Sequence, residues 1–252
     1  MQELDRATEI LAGARRLVVT TGAGMSKESG IPTFREGPNA LWSNYNQEDL
    51  ATPEGFLRNP PLVWKWYVER RKLMAKVSPH AGHIAIAEME PLYSEFILLT
   101  QNIDNLHRQA GSRNLVELHG NIYRYKCFDN HHPASSVPDT HEVPPRCVCG
   151  SYLRPDVVWF GEPLDPDNLD RAFAALESCD VILVVGTSGI VYPAAGFPAL
   201  AKRAGARVVE VNPEITAVTA DADVFVQARA GEALPALVAR LRAHRAARKS
   251  PG

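Results

Sequence analysis

Short apolar runs recur along the chain, and each one ends in small or polar residues. They are residues 17–19, 96–99, 115–118, 181–185 and 208–211. Stretches with helical spacing of apolar side chains lie between or after these runs, at residues 81–90, 169–178, 193–204 and 234–246. Continuous apolar strands that alternate with helices predict a parallel sheet covered by helices on both faces.

Two stretches interrupt the alternation. Residues 36–79 are rich in aromatic side chains, and residues 123–155 are rich in proline, histidine and cysteine. Neither has the pattern of a strand–helix–strand crossover. We therefore predict one α/β domain over residues 1–252: a Rossmann-like, doubly wound parallel sheet with a smaller second lobe made from two insertions, 36–79 and 123–155. The large lobe would comprise residues 1–35, 80–122 and 156–252.

The polar residues that follow the strands predict a ligand pocket. In an open parallel sheet, the carboxyl ends of the strands line one crevice, and ligands bind there. The turn TGAG at residues 21–24 carries Gly22 and Gly24, which let a ligand approach the main chain closely. Backbone N–H groups and the helix dipole at such a turn favour an anion, hence a phosphate-bearing ligand.

This turn is not the usual dehydrogenase fingerprint. Lys27 stands where that fingerprint has its third glycine, and no acidic residue ends a second strand about 20 residues later. A hydride-transfer enzyme is therefore disfavoured. A tight strand-to-helix turn without a ligand is the alternative that the turn alone leaves open.

Composition limits the classes of partner that the protein is expected to bind. The formal net charge of −2 produces no overall field that attracts nucleic acid or anionic lipid. No apolar run approaches the ~20 residues of a membrane span, and the acid-bearing start of the chain does not resemble a secretory signal. Four cysteines in 252 residues suit a reducing cytoplasm. We expect a cytoplasmic monomer that binds neither nucleic acid nor membrane.

Short motifs spaced along the chain carry a family resemblance. In chain order they are GAGMS (22–26), SGIPTFR (29–35), QNID (101–104), HG (119–120), VWFGE (158–162), GTS (186–188) and VNPE (211–214). In this order they resemble sirtuins, the NAD-dependent protein-lysine deacylases, over about residues 17–237. The resemblance implies transfer of an acyl group from lysine to NAD, giving free lysine, nicotinamide and O-acyl-ADP-ribose.

The resemblance also assigns the catalytic residues, His119 and Asn102. His119 would take a proton from a ribose hydroxyl, and the ordinary pKa of histidine, about 6.5, suits a general base. Gln101, Asn102 and Asp104 would hold the ribose and the nicotinamide amide. Asn102 and Asp104 could equally cap a helix, and both roles could hold at once.

Further NAD contacts are implied by the same motifs. Arg35 would reach the pyrophosphate or ribose, Phe34 would cover the reacting carbon, and Ala230 would lie under the adenine. The remaining implied contacts are Gly22, Ala23, Gly24, Ser29, Ile103, Gly186, Thr187, Ser188, Asn212, Pro213 and Glu214.

Two segments, residues 159–162 and 189–192, resemble the strand edges that clamp a substrate peptide. Backbone pairing there would make the enzyme tolerant of peptide sequence. Phe160 would line an apolar tunnel for the lysine stem, and core packing is the alternative for Trp159 and Phe160. The implied contacts are Phe160, Gly161, Glu162, Ile190, Val191 and Tyr192.

Tyr67 and Arg70 bear on the acyl group. They are spaced i, i+3 on a predicted helix at residues 61–76, so both side chains can converge on one point. A Tyr-x-x-Arg pair at this place resembles the sirtuins that remove succinyl and malonyl groups. Arginine can hold a carboxylate through two parallel hydrogen bonds. We expect succinyl- and malonyl-lysine as substrates, and acetyl-lysine as a less efficient one.

The resemblance fails at the metal site. Common sirtuins hold a structural zinc with two cysteine pairs, whereas Asn130 here occupies one ligand position and the second pair is shortened. Cys127, Cys147 and Cys149 remain, and His131 or His132 could supply the fourth ligand; our assignment is His131. A lobe that has lost its metal stays an open alternative.

Two other functions are alternatives to deacylation. A mono-ADP-ribosyltransferase would use the same NAD site with a different acceptor. A non-catalytic NAD-sensing module would bind NAD without releasing nicotinamide.

Overall fold

The computed structural model describes residues 2–32 and 46–249. Its centre is a six-stranded parallel sheet in the order β3-β2-β1-β7-β8-β9. The predicted doubly wound parallel sheet is confirmed. The strands are β1 (Arg16–Thr21), β2 (Glu95–Thr100), β3 (Leu115–Glu117), β7 (Val181–Val185), β8 (Arg207–Asn212) and β9 (Val224–Gln227).

Alternating side chains of these strands build two cores. Val19 and Leu183 face one side, against helices α1 (Gln2–Gly13), α6 (Ala81–Met89) and α10 (Ala230–Lys249). Val18 and Ile182 face the other side, against α8 (Pro166–Ser178) and α9 (Phe197–Arg203). Because both faces are covered, the strands are mainly apolar rather than alternating with polar residues.

Several boundaries differ from the sequence prediction for local reasons. α8 begins three residues early because the Asp165 side chain accepts a hydrogen bond from the Asn168 N–H and caps it. α9 begins at Phe197 because Ala194–Gly196 forms a 3₁₀ turn. α1 and β9 were not predicted.

The smaller lobe contains a three-stranded antiparallel sheet in the order β5-β4-β6, at β5 (Pro133–Ala134), β4 (Gly120–Cys127) and β6 (Leu153–Val157). Helices α3 (Gln47–Leu50), α4 (Pro53–Arg58) and α5 (Pro60–Met74) pack with it through Phe56, Val63 and Tyr67. β4 and β6 each run across a lobe boundary expected from sequence, since they carry the chain out of the large lobe and back. A short helix α2 (Gly24–Lys27) follows β1, and α7 (Leu106–Gln109) follows β2.

Among residues 2–32 and 46–249, we find no helix with both the length and the apolar character needed to cross a bilayer.

Candidate active site

A cavity of about 690 Å³ opens at the carboxyl ends of the central strands. This volume lies within the range of about 300–1,000 Å³ that is typical of small-molecule sites. Its wall combines the turn after β1, the loops after β2, β7 and β8, His119 after β3, and two small-lobe segments. The predicted site residues in the wall are Gly22, Ala23, Gly24, Tyr67, Arg70, Gln101, Asn102, Ile103, Asp104, His119, Phe160, Gly161, Glu162, Gly186, Thr187, Ser188, Val191, Tyr192, Asn212, Pro213 and Glu214.

Some predicted residues are not in this wall. Ser29 and Ile190 lie outside it, and Ala230 is buried at the start of α10, where its carbonyl group packs against Gly82. These three assignments stay predictions. Phe34 and Arg35 lie outside the described residues.

Two glycine turns pack directly against each other. Gly24 N–H donates to the Gly186 carbonyl at 2.8 Å, and a Cβ at Gly24 would lie 2.7 Å from that oxygen. Gly186 has a φ of +57°, and a Cβ there would lie 2.3 Å from the Met25 nitrogen. These glycines therefore serve turn-to-turn packing, which places the loops after β1 and β7 in one wall.

A hydrogen-bonded chain fixes the loop after β2. The Asn102 amide donates to the Gly22 carbonyl at 2.9 Å and to Ser26 Oγ at 3.0 Å. Ser26 Oγ donates to Asp104 Oδ2 at 2.6 Å. Because both amide hydrogens of Asn102 are used, its Oδ1 is what it can offer a ligand, as an acceptor for a hydroxyl group.

Asp104 is buried, and its carboxylate also accepts a hydrogen bond at the start of a helix. Its Oδ1 accepts from the Leu106 N–H at 2.9 Å at the start of α7, so the expected capping role is present for Asp104. Burial raises the pKa of Asp104, while the hydrogen bonds from Ser26 and Leu106 oppose that rise.

His119 is held in one tautomer. Its Nδ1 lies 2.9 Å from the Gln101 carbonyl oxygen. Since a carbonyl oxygen only accepts, Nδ1 carries the hydrogen and Nε2 is left as the acceptor. Burial lowers the pKa of His119, and the Gln101 hydrogen bond partly offsets this. A neutral, oriented imidazole in the cavity wall is what a general base requires.

The loop after β8 is held by Glu210, which sequence reasoning missed. This fully buried carboxylate accepts from Thr216 Oγ1 at 2.5 Å and from Thr219 Oγ1 at 2.6 Å. At the same strand end, Asn212 Nδ2 donates to the Thr187 carbonyl at 2.9 Å. An acid inside the apolar run 208–211 was the available signal.

Tyr67 and Arg70 both face the cavity from α5. Their exposed fractions are 3% and 5%, so Arg70 does not lie on a solvated helix face. Burial lowers the pKa of Arg70, while Tyr67 and Asp104 oppose that change. The Arg70 guanidinium also lies 5.1 Å from the centre of the Trp66 ring. The structure thus places a cation and a phenol in the same cavity as His119.

In the segment that follows β6, two adjacent aromatic residues differ in their exposure to solvent. Trp159 is buried and Phe160 is 49% exposed, so core packing explains the first and not the second. The Phe160 N–H donates to the Ala51 carbonyl at 2.9 Å. Glu162 pairs with the buried Arg154 and accepts from the Trp159 N–H at 2.7 Å, which fixes the bend of this segment.

A candidate metal site lies in the small lobe. The ligand atoms of Cys127, His132, Cys147 and Cys149 all lie within 4.8 Å of one another. Cys127 Sγ is 3.4 Å from Cys149 Sγ, and Cys147 Sγ is 3.7 Å from His132 Nε2. With Zn–S bonds of about 2.3 Å, tetrahedral zinc separates its ligand atoms by about 3.8 Å. The group therefore fits zinc.

The histidine of this group is His132 rather than the assigned His131. His131 is exposed and adopts a φ of +56°, which turns the chain so that the next residue reaches the cysteines. Asn130 donates from its side chain to Cys149 Sγ at 3.5 Å. Hydrogen bonds from the Ser151 backbone and from Cys127 lower the pKa of Cys149 to about 7, towards the thiolate form that binds metal.

Comparison with known sequences agrees with this geometry. A sequence model of the Sir2 family matches residues 22–193. NAD-dependent protein deacylase 2 of Pyrobaculum aerophilum is 55% identical over 232 residues, covering 91% of this chain and 92% of that protein. NAD-dependent protein deacylase of Pyrococcus abyssi is 50% identical over 240 residues, covering 92% and 96%.

Solved structures are similar over nearly the whole chain. A Sir2 homologue variant in complex with ADP-ribose has a TM-score of 0.89 and 42% identity, covering 98% of this chain and 99% of that one. A Sir2 homologue–NAD complex has a TM-score of 0.88 and 43% identity, covering 95% and 94%. A Sir2 protein bound to a myristoylated histone peptide has a TM-score of 0.76 and 35% identity, covering 98% and 99%.

Proposed function

The chain belongs to the Sir2 family and is an NAD-dependent protein deacylase, and from that premise we propose that it removes succinyl and malonyl groups, and acetyl groups less efficiently, from protein lysines. The observation that carries the acyl preference is the burial of Arg70 and Tyr67 in the cavity that also holds His119. The relatives named above support NAD-dependent protein deacylation.

The polar groups of the large-lobe wall fit NAD. When bound, NAD supplies the ribose carbon that accepts the acyl group. Asn102 Oδ1 can accept from a ribose hydroxyl, and the Asp104 carboxylate can accept from an amide NH₂. His119 Nε2 takes a proton from a hydroxyl in the cavity, since its Nδ1 is committed to Gln101. Thr187, Ser188 and Asn212 line the same cavity and would hold the adenosine half.

The acyl preference follows from the chemistry of Arg70. Arg70 lines the cavity, and its guanidinium can hold a carboxylate by two parallel hydrogen bonds. Succinyl and malonyl groups end in such a carboxylate, whereas acetyl does not. Tyr67, three positions before Arg70, adds a hydroxyl to the same part of the wall.

We also propose that zinc binds Cys127, His132, Cys147 and Cys149 in the small lobe. Four protein ligands close a tetrahedral site, so this zinc would be structural and would leave no position for substrate.

The acyl preference is tested with one peptide carrying acetyl-, malonyl- or succinyl-lysine, incubated with and without NAD. We expect NAD-dependent loss of all three groups, with kcat/KM highest for the acidic ones, and mass spectrometry of O-acyl-ADP-ribose as the readout. Acyl loss without NAD, or equal kcat/KM for all three, would contradict the proposal. ADP-ribose attached to the peptide without acyl loss would instead identify a mono-ADP-ribosyltransferase.

A further inference from the structure

Two side chains that interact with Tyr67 can only donate hydrogen bonds. The indole Nε1–H of Trp159 donates to Tyr67 Oη at 2.9 Å. The guanidinium of Arg70, on the same helix face, carries N–H donors and no lone pair that could accept. A hydroxyl has one hydrogen and two lone pairs, so the hydrogen of Tyr67 must be directed away from Trp159 and Arg70, towards an acceptor elsewhere.

The indole ring of Trp159 cannot easily turn away from Tyr67. The guanidinium carbon of the fully buried Arg154 lies 3.3 Å from the centre of the Trp159 ring. Glu162 accepts from both Arg154 and the Trp159 backbone N–H, so backbone and ring are fixed by one ion pair. Phe56 packs against the same ring, with centres 5.3 Å apart.

We propose that Trp159 is a positioning residue for acyl selectivity: its Nε1–H occupies a lone pair of Tyr67 Oη and leaves the Tyr67 hydrogen to be donated to the carboxylate of an acidic acyl group. This inference rests on the proposed function. A carboxylate can accept the Tyr67 hydrogen, whereas the methyl end of an acetyl group cannot. The effect of Trp159 therefore falls on succinyl- and malonyl-lysine more than on acetyl-lysine.

The test removes the N–H of Trp159 while keeping the ring. Benzothienylalanine at position 159 replaces the N–H with sulfur in nearly the same shape, and Trp159→Phe is the simpler variant. We measure kcat/KM for succinyl- and acetyl-lysine peptides and take their ratio. Loss of one hydrogen bond predicts that the ratio falls about 3- to 10-fold.

The action through Tyr67 is tested in a Tyr67→Phe background. If the indole acts through the hydroxyl, removing its N–H lowers the ratio no further there. Trp64→Phe is the matched control, since Trp64 is a buried indole of the small lobe that stacks on Tyr125 away from the cavity wall. It is expected to leave the ratio unchanged.

The outcomes separate this inference from the proposed function. A wild-type enzyme with no preference for succinyl over acetyl would overturn both. A wild-type preference that Tyr67→Phe reduces, with a ratio unaltered by either change at Trp159, would overturn the positioning role alone. The positioning role is also overturned if changing Trp159 lowers the ratio equally in the Tyr67→Phe background. Thermal unfolding of the benzothienylalanine variant within a few degrees of wild type confirms that the fold is intact.

Discussion

His119 Nδ1 lies 2.9 Å from the carbonyl oxygen of Gln101, the first residue after β2. This hydrogen bond connects the imidazole of His119 to the first residue of the QNID loop, directly after β2. It fixes the tautomer of the imidazole and leaves Nε2 as the proton acceptor. The proposed base and the residues expected to hold ribose are therefore positioned by the same loop.

Replacing His119 with alanine removes the proton acceptor but leaves the loops that surround the cavity. We expect kcat to fall by about 100- to 10,000-fold, the usual contribution of a general base. The dissociation constant for NAD, measured by calorimetry, is expected to change little. A variant that keeps wild-type turnover would show that His119 is not the base.

The pH profile follows from the environment of His119. Burial lowers its pKa, so the neutral, basic form is already dominant below the ordinary value of about 6.5. We expect kcat/KM to be flat around neutral pH and to fall only on the acidic side of about pH 6.5. The profile is measured at acyl-peptide concentrations well below KM. A limb centred above about pH 7 would contradict this.

Asp104 could add a second acidic limb to that profile, because burial raises its pKa. The Asp104→Asn variant separates the two groups. Its remaining acidic limb would belong to His119, whereas a flat profile would assign the wild-type limb to Asp104.

Replacing Arg70 with methionine keeps much of the length of the side chain and removes its charge. Charge-assisted hydrogen bonds contribute about 1.5–3 kcal/mol each, so the loss of two of them is expected to lower kcat/KM for succinyl- and malonyl-lysine by about 100-fold or more. The fall for acetyl-lysine is expected to be smaller. Lys72→Met on the exposed side of the same helix is the control. Equal losses on all three peptides would argue against a carboxylate clamp.

Much of the site was predictable because parallel strands end at one edge of a sheet. The polar residues after β1, β2, β7 and β8 reach the same cavity for that reason alone. The pairing of Tyr67 with Trp159 was not predictable, since it joins residues 92 positions apart through the packing of the small lobe. The choice of His132 over His131 depends on one positive φ angle at His131, a conformation that histidine adopts too seldom to be predicted from sequence.

The metal proposal predicts one zinc per chain, measured by emission spectroscopy on purified protein. His132→Ala removes one ligand, and we expect lower zinc content and a lower Tm. His131→Ala is the matched control, because this exposed neighbour does not belong to the ligand group. Wild-type zinc content in the His132 variant, or its loss only in the His131 variant, would contradict the assignment.

Glu210 offers a test of how the cavity wall is held. Its carboxylate is fully buried and accepts from the hydroxyls of Thr216 and Thr219, which lie in and next to the loop after β8. Glu210→Ala leaves both hydroxyls without that acceptor, so we expect a loss of about 1–3 kcal/mol in the free energy of unfolding. Because residues 213–217 of that loop line the cavity, the KM for NAD is expected to rise more than kcat falls. Glu177→Ala, an exposed acid on α8, controls for the loss of a negative charge. Urea unfolding and steady-state kinetics measure the two effects, and an unchanged KM in a destabilised variant would limit Glu210 to a role in stability.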